Sequence, residues 1–200
     1  MHNGSTQSQV VKKKKEKFLK MFGVSPGKGN WETVALNDAV KSALLRNPTY
    51  TPGSTFQQRL CVREFWKQEL TKIANEYVKG QKNRSAYEAD ILRLQETMNN
   101  KFCQAFQSRS TRCDPVFRVA HAQKSLSLVL KHFWCNGAIE EPPACPVDRL
   151  ILTIAEAPFG SRTWTSVNSI QAYRCQLAFL DKAAKAAFQS VAVWELLNFK

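Results

Sequence analysis

The sequence predicts an all-α protein, a helical bundle arranged in two lobes. Apolar residues recur at spacings of three and four along most of the chain, which is the period of an amphipathic helix. Residues that begin or end helices flank several of these apolar stripes. Patterns typical of β-strands are poor throughout. Together these observations predict about six or seven helices after residue 30.

Three helices are predicted in the first half of the chain. The first covers Trp31 to Asn47 and ends before Pro48, because the residue preceding a proline disfavours helical backbone. The second covers Phe56 to Lys79, and Gly80 is its expected C-cap. The third is expected to begin at a capping box formed by the stretch from Ser85 to Glu88.

The clearest helix start in the second half is Asp114-Pro115, an acidic N-cap followed by proline at the first helical position. The helix that it opens is expected to run to about Cys135. Residues 125–129 alternate in polarity as a strand would, but the cap and the flanking stripe favour a helix. The apolar stripe of this helix consists of Val119, Ala122, Leu126, Val129 and Phe133.

The chain beyond this long helix is divided by turn residues. Asn136-Gly137 breaks the helix and a proline-rich loop follows, so Pro146 is expected to be the first residue of the next helix. Thr165 or Ser166 is the expected cap of another helix, and Ser190 caps a short last one.

The charge predicts an anionic partner. The chain of 200 residues carries 29 basic against 16 acidic side chains, a formal charge of +13. Nucleic acid is the partner that this excess favours, with an acidic protein or a membrane surface as alternatives. Residues 1–30 hold a run of lysines and are expected to form a basic N-terminal tail on a helical domain over residues 31–200, with a possible lobe boundary near residues 107–114.

The apolar segments and the cysteines bear on the compartment. No segment approaches the roughly 18 consecutive apolar residues of a transmembrane helix, and residues 1–11 lack the apolar core of a signal peptide. We therefore expect a cytoplasmic, nucleoid-associated protein, or a nuclear one if the host is a eukaryote. The six cysteines form no C-x-x-C pair, so free thiols are expected rather than disulfides or a metal site.

One constellation could carry chemistry. Lys124 and Lys131 are two turns apart on the long predicted helix and so share a face. Asp148 falls in the first turn of the next helix, where the helix dipole stabilises a negative charge. The connection is short, so the two helices are expected to pack as a hairpin that brings an amine and a carboxylate into one crevice.

An amine beside a carboxylate can attack a sugar C1′, release the base and leave a Schiff base. The amine of Lys124 must lose its proton before it attacks, and partial desolvation or a neighbouring cation would favour that loss. Lys131 is one candidate for this cation.

The order of a lysine helix, a hairpin, a proline-rich loop and Pro146-Val147-Asp148 resembles the helix-hairpin-helix DNA glycosylases, and among them the 8-oxoguanine glycosylases. Residues 124–131, with a lysine at each end of an apolar run, are most similar to the archaeal 8-oxoguanine branch. The resemblance covers roughly residues 115–200 and implies a helix-hairpin-helix-like element. It also implies that Lys124 is the nucleophile and that Asp148 assists proton transfer and stabilises charge at the sugar.

The resemblance implies further site residues and a reaction. Backbone N–H groups near Asn136 and Gly137 would bind a phosphate, although the usual Leu-Pro-Gly-x-Gly hairpin is absent. Residues 190–197 match the helix that closes the base pocket. The remaining expected ligands are Lys131 and Arg149 for nucleic acid, and Trp134 and Trp194 for the base.

The implied activity is that of a DNA N-glycosylase with AP-lyase activity that excises an oxidised or modified base such as 8-oxoguanine. It would act as a monomer on duplex DNA, and the reaction needs no metal or organic cofactor. Two alternatives stay open: a non-catalytic DNA- or RNA-binding protein on the same scaffold, for example in phage defence, or a helical module for an acidic partner. In either case Lys124 is an ordinary helix lysine and Asp148 an ordinary N-terminal acid of a helix.

Overall fold

A computed structural model of the protein describes residues 3–45, 49–106 and 117–199. These ranges contain α-helices and three short 3₁₀ segments, at Cys103–Ala105, Phe159–Arg162 and Trp164–Ser166, and no strand. The predicted all-α class is confirmed. The helices are α1 (Asn3–Met21), α2 (Trp31–Leu44), α3 (Phe56–Lys79), α4 (Arg84–Phe102), α5 (Val119–Asn136), α6 (Arg149–Ile154), α7 (Ile170–Ala186) and α8 (Val191–Asn198).

Helix α5 is the centre of the fold. Every one of its residues from Val119 to Cys135 is buried, and helices α1, α2, α3, α4 and α7 all pack against it. The predicted stripe is therefore buried, but so is the opposite face. A helix enclosed in this way must give each polar side chain a partner, since an unpaired buried polar group is costly. Ser125, for example, accepts a hydrogen bond from the Trp66 indole at 3.1 Å.

The N-terminal lysine run forms a docked helix instead of the expected tail. Helix α1 packs against α5 and α8, and it buries Phe18 and Leu19 there. Lys14 Nζ donates to the Leu197 carbonyl oxygen at 2.7 Å, and Lys15 Nζ lies 4.1 Å from the centre of the Trp134 ring. The free energy gained by burying these two apolar side chains offsets the conformational entropy that is lost when this highly charged helix becomes ordered. The exposed lysines of the run are Lys12, Lys13, Lys17 and Lys20.

Two predicted boundaries in the first half differ from the structure. Helix α2 ends at Leu44, and the predicted stop at Asn47-Pro48 lies outside the described residues. The predicted capping box at Ser85 and Glu88 is wrong, because α4 has a different N-cap. Asn83 caps α4 by accepting a hydrogen bond from Ala86 N–H at 2.9 Å, while the Glu88 carboxylate pairs with Arg174 at 2.6 Å.

Three helix starts in the second half are also corrected. Phe117 and Arg118 are not helical, so α5 begins at Val119, and Asp114-Pro115 lies outside the described residues, as does the expected lobe boundary. Asp148, not the residue before Pro146, is the N-cap of α6, and Ser169 rather than Thr165 or Ser166 caps α7. The predicted cap at Ser190 is confirmed, since its Oγ accepts from Val193 N–H at 3.2 Å.

Among the helices that the structure describes, none is both long and apolar enough to cross a membrane.

Helix α6 packs chiefly against the Phe159–Arg162 segment, α7 and α8, rather than along α5 as a hairpin partner. The predicted two-lobe arrangement and the helix-hairpin-helix-like element stay predictions.

Candidate functional site

The loop between α5 and α6 carries the chain back along α5. It leaves α5 at Gly137, whose φ of +81° lies in the left-handed region that favours glycine. Gln123 then holds the far end of the loop: its Nε2 donates to the Val147 carbonyl oxygen at 2.9 Å, and its Oε1 accepts from Val147 N–H at 3.2 Å. Because Lys124 follows Gln123 and Asp148 follows Val147, these two hydrogen bonds set the next two side chains side by side.

The structure brings Lys124 and Asp148 together. Lys124 Nζ donates to Asp148 Oδ2 at 2.7 Å, and Asp148 Oδ1 accepts from Ile151 N–H at 3.0 Å as the N-cap of α6. Partial burial alone would raise the pKa of the Asp148 carboxyl. The positive charge and hydrogen bond of Lys124, together with the backbone N–H groups of Ile151 and Leu150, outweigh burial and lower this pKa below its ordinary value.

The pair is enclosed on the amine side and open on the carboxylate side. The Lys124 side chain is 9% exposed and the Asp148 side chain 31%. On the remaining side, Lys124 Nζ lies 5.9 Å from the centre of the Trp164 ring. A small reacting group could therefore reach the pair from the direction of Asp148 and Trp164.

A cleft of about 260 Å³ opens beside Trp164. The two 3₁₀ segments after α6 form one wall, and the exposed Arg149, the first residue of α6, forms another. Arg162 is held in place because its Nε donates to the Ala157 carbonyl oxygen at 2.6 Å. The residues that line the cleft are Arg149, Phe159, Arg162, Thr163, Trp164 and Thr165.

Of these lining residues, Arg149 is the only one that the sequence predicts to be a ligand. Phe159, Arg162 and Trp164 are not among the predicted site residues. Residues 158–165 interleave two aromatic rings with an arginine after a proline, and such interleaving in a loop is a pattern from which a nucleic-acid contact can be proposed.

Lys131 is not at a nucleic-acid-binding surface, which is where the resemblance implied that it would lie. Its Nζ pairs with Glu195 at 2.8 Å, and the two side chains are only 3% and 5% exposed. The ring of Phe199 is centred 3.9 Å from this Nζ and that of Phe18 4.6 Å. The ammonium is thus sealed from a phosphate, and its charge is compensated by Glu195 rather than free to act on Lys124.

The expected phosphate contact at Asn136 and Gly137 is not available in this structure. Gly137 N–H donates to the Trp134 carbonyl oxygen at 3.1 Å and Ala138 N–H to that of Phe133 at 2.9 Å, the pattern of a helix C-cap. The Asn136 side-chain oxygen accepts from Gly27 N–H at 2.8 Å. The C-terminal end of a helix also carries partial negative charge, which disfavours an anion.

The two tryptophans expected in a base pocket are buried. Trp134 lies beneath Lys15 in the cluster shared by α1, α5 and α8, and Trp194 belongs to the main hydrophobic core. Neither faces the Lys124–Asp148 pair in any contact of the described residues. Trp164, which is only half-buried, has its ring centred 5.9 Å from Lys124 Nζ.

The described residues hold no cluster of histidine, cysteine, aspartate and glutamate that could bind a metal ion. The five cysteines within them are free thiols, and Cys113 lies outside them. Burial raises the pKa of the Cys135 thiol to about 12, so this thiol stays protonated and is not a nucleophile at neutral pH.

Comparisons with protein-family models, with curated proteins and with solved structures gave no match. The chemistry of the Lys124–Asp148 pair therefore carries the functional argument. It offers one amine for covalent attack, one ionised carboxylate for charge stabilisation, and an adjoining basic and aromatic cleft.

Proposed function

We propose that the protein is a DNA N-glycosylase with AP-lyase activity that excises an oxidised or modified base such as 8-oxoguanine. The observation that carries this proposal is the 2.7 Å contact between Lys124 Nζ and Asp148 Oδ2 beside an open cleft. Duplex DNA with a modified base is the proposed substrate, and the cytoplasm, or a nucleus, is the proposed location.

Lys124 forms the covalent bond in the proposed reaction. The bond from C1′ to the base breaks, its electron pair leaves with the base, and the Lys124 nitrogen bonds to C1′. One ammonium proton goes to the departing base. The C1′–O4′ bond then opens, O4′ takes a second proton, and the third stays on the resulting protonated Schiff base, so atoms and charge balance.

Asp148 is proposed to stabilise charge rather than to donate a proton. Its lowered pKa keeps the carboxylate ionised at neutral pH, and an ionised carboxylate stabilises the positive charge that develops at C1′ as the base leaves. Its N-cap hydrogen bond from Ile151 fixes the orientation of the carboxylate without occupying Oδ2.

Borohydride trapping tests the proposal. Sodium borohydride reduces a Schiff base to a stable amine, so wild-type protein mixed with duplexes that carry modified bases should form a covalent adduct. Lys124→Ala should form none, while the matched variant Lys182→Ala, at an exposed position of α7, should behave as wild type, with circular dichroism confirming that all are folded. Wild-type protein that forms no adduct across a panel of modified bases would contradict the lyase mechanism.

Non-catalytic nucleic-acid binding is the second candidate function. The observation that favours it is helix α1, which packs against α5 and α8 and presents the exposed Lys12, Lys13, Lys17 and Lys20 to solvent. This function predicts a DNA affinity that falls steeply with salt and a substrate that is recovered unaltered. A protein that ignores DNA at moderate salt would instead favour an acidic protein partner.

A further inference from the structure

We infer that the cleft beside Lys124 binds an unpaired nucleotide of single-stranded or locally opened nucleic acid, with Phe159 and Trp164 stacking on bases and Arg149 and Arg162 contacting phosphates. This inference deepens the proposed function and rests on it. Bases expose their faces for stacking only when they are unpaired, and aromatic rings beside cations are the usual platform for them.

Phe159 is the first support for this inference. Its side chain is 77% exposed, although it belongs to a backbone segment that is well held. Ser161 N–H donates to the Pro158 carbonyl oxygen at 2.9 Å, and the Gln176 side chain donates to the Ser161 carbonyl oxygen at 2.8 Å. A hydrogen-bonded segment thus presents a large apolar ring to water at the rim of the cleft, where it is free to stack on a base.

Trp164 connects this rim to the reactive pair. Its indole lines the cleft and also faces Lys124 Nζ at 5.9 Å. A base that stacks on Trp164 would therefore contact the same indole that Lys124 Nζ faces. The volume of about 260 Å³ is near the lower end of the roughly 300–1,000 Å³ usual for ligand pockets, and it suits one base rather than a larger cofactor.

The charges of the cleft suit phosphate. Its described lining includes Arg149 and Arg162 and no acidic residue. Neither arginine forms an ion pair with a described residue. The neighbouring Asp148 is already neutralised by Lys124. Two uncompensated guanidinium groups that flank two rings match the alternation of phosphate and base along a single strand.

Fluorescence anisotropy with a labelled single-stranded oligothymidylate, measured against the matched duplex, tests the inference. Phe159→Ala should weaken single-strand binding about tenfold, and Phe159→Trp should restore it. Phe188→Ala is the matched control, because Phe188 is 94% exposed and lines a different cavity, so its removal should leave binding unchanged. Arg149→Gln should weaken binding and reduce its salt dependence by about one counterion.

Stacking itself has a direct readout. A 2-aminopurine in the strand should lose fluorescence on binding to wild-type protein and regain most of it with Phe159→Ala, since stacking quenches this base. Equal affinities of Phe159→Ala and Phe188→Ala, or no single-strand binding at low salt, would overturn the inference. Adducts that form despite such results would leave the glycosylase proposal standing. Ring-dependent binding without any adduct would contradict the lyase mechanism and support the nucleotide-binding cleft.

Discussion

Helix α5 carries two lysine–carboxylate pairs whose surroundings differ. Lys124 and Asp148 are 2.7 Å apart, and Lys131 and Glu195 are 2.8 Å apart, two turns further along the same helix. The second pair is closed by the rings of Phe18 and Phe199, whereas the first leaves its carboxylate 31% exposed beside a cleft. A lysine–carboxylate pair can thus stabilise the fold or stay within reach of a substrate. The degree of burial of the pair determines which of these two roles is open to it.

The closed pair ties the C-terminal helix to the centre of the fold. Glu195 belongs to α8, Phe18 to α1 and Lys131 to α5, so three helices meet at this one contact. Neither charge can be rehydrated without moving a helix. We therefore expect Lys131 to act on stability and Lys124 to act on chemistry.

Removal of Lys131 should have the largest effect on stability. Lys131→Ala leaves the Glu195 carboxylate buried without a partner, which costs about 3–5 kcal/mol of the free energy of unfolding. The double variant Lys131→Met with Glu195→Leu replaces the pair by apolar groups and should recover most of that loss. Urea denaturation measures both; a single variant as stable as wild type would show that the pair is not enclosed as described.

Removal of Lys124 should cost less. In Lys124→Met the Asp148 carboxylate can take up water through its exposed side and keeps its hydrogen bond from Ile151, so we expect a loss of about 1–2 kcal/mol. The same urea titration checks this value. A loss as large as that of Lys131→Ala would mean that the open pair is as structural as the closed one.

The smallest expected effect is a change in acid stability. The folded pKa of Asp148 is lowered, so its contribution is fully present above the unfolded value of about 3.9 and is lost as the pH falls through the folded value. In Asp148→Asn this contribution should disappear, so the free energy of unfolding should fall less steeply with decreasing pH below about pH 4. Urea midpoints for both proteins between neutral pH and pH 3 measure the difference; parallel curves would contradict it.

Local chemistry explains which parts of the fold could be predicted. The bounds of α3 at Phe56 and Lys79, its end at Gly80 and the Ser190 cap depend on residues within one turn, and all are confirmed. Helix α1 could not be foreseen, because its docking depends on contacts of Phe18 and Leu19 with α5 and α8, which lie more than a hundred residues away along the chain.

The candidate site was predictable only where it depends on local sequence, and not where it depends on long-range contacts. The chain order suggested that Lys124 and Asp148 meet, but a helical hairpin was the expected route. The structure uses an extended loop that Gln123 clamps at Val147, a long-range contact without a local pattern. The tryptophans look alike in the sequence, and only tertiary packing buries Trp134 and Trp194 while it leaves Trp164 beside Lys124.

The difference between the two pairs is tested most directly by locating the trapped adduct. After borohydride trapping on a duplex with a modified base, the protein would be digested and the modified peptide identified by mass spectrometry. The DNA-derived remnant should lie on Lys124 and be absent from Lys131. A remnant on Lys131, or one spread over the exposed lysines of α1, would contradict the assignment of Lys124 as the nucleophile.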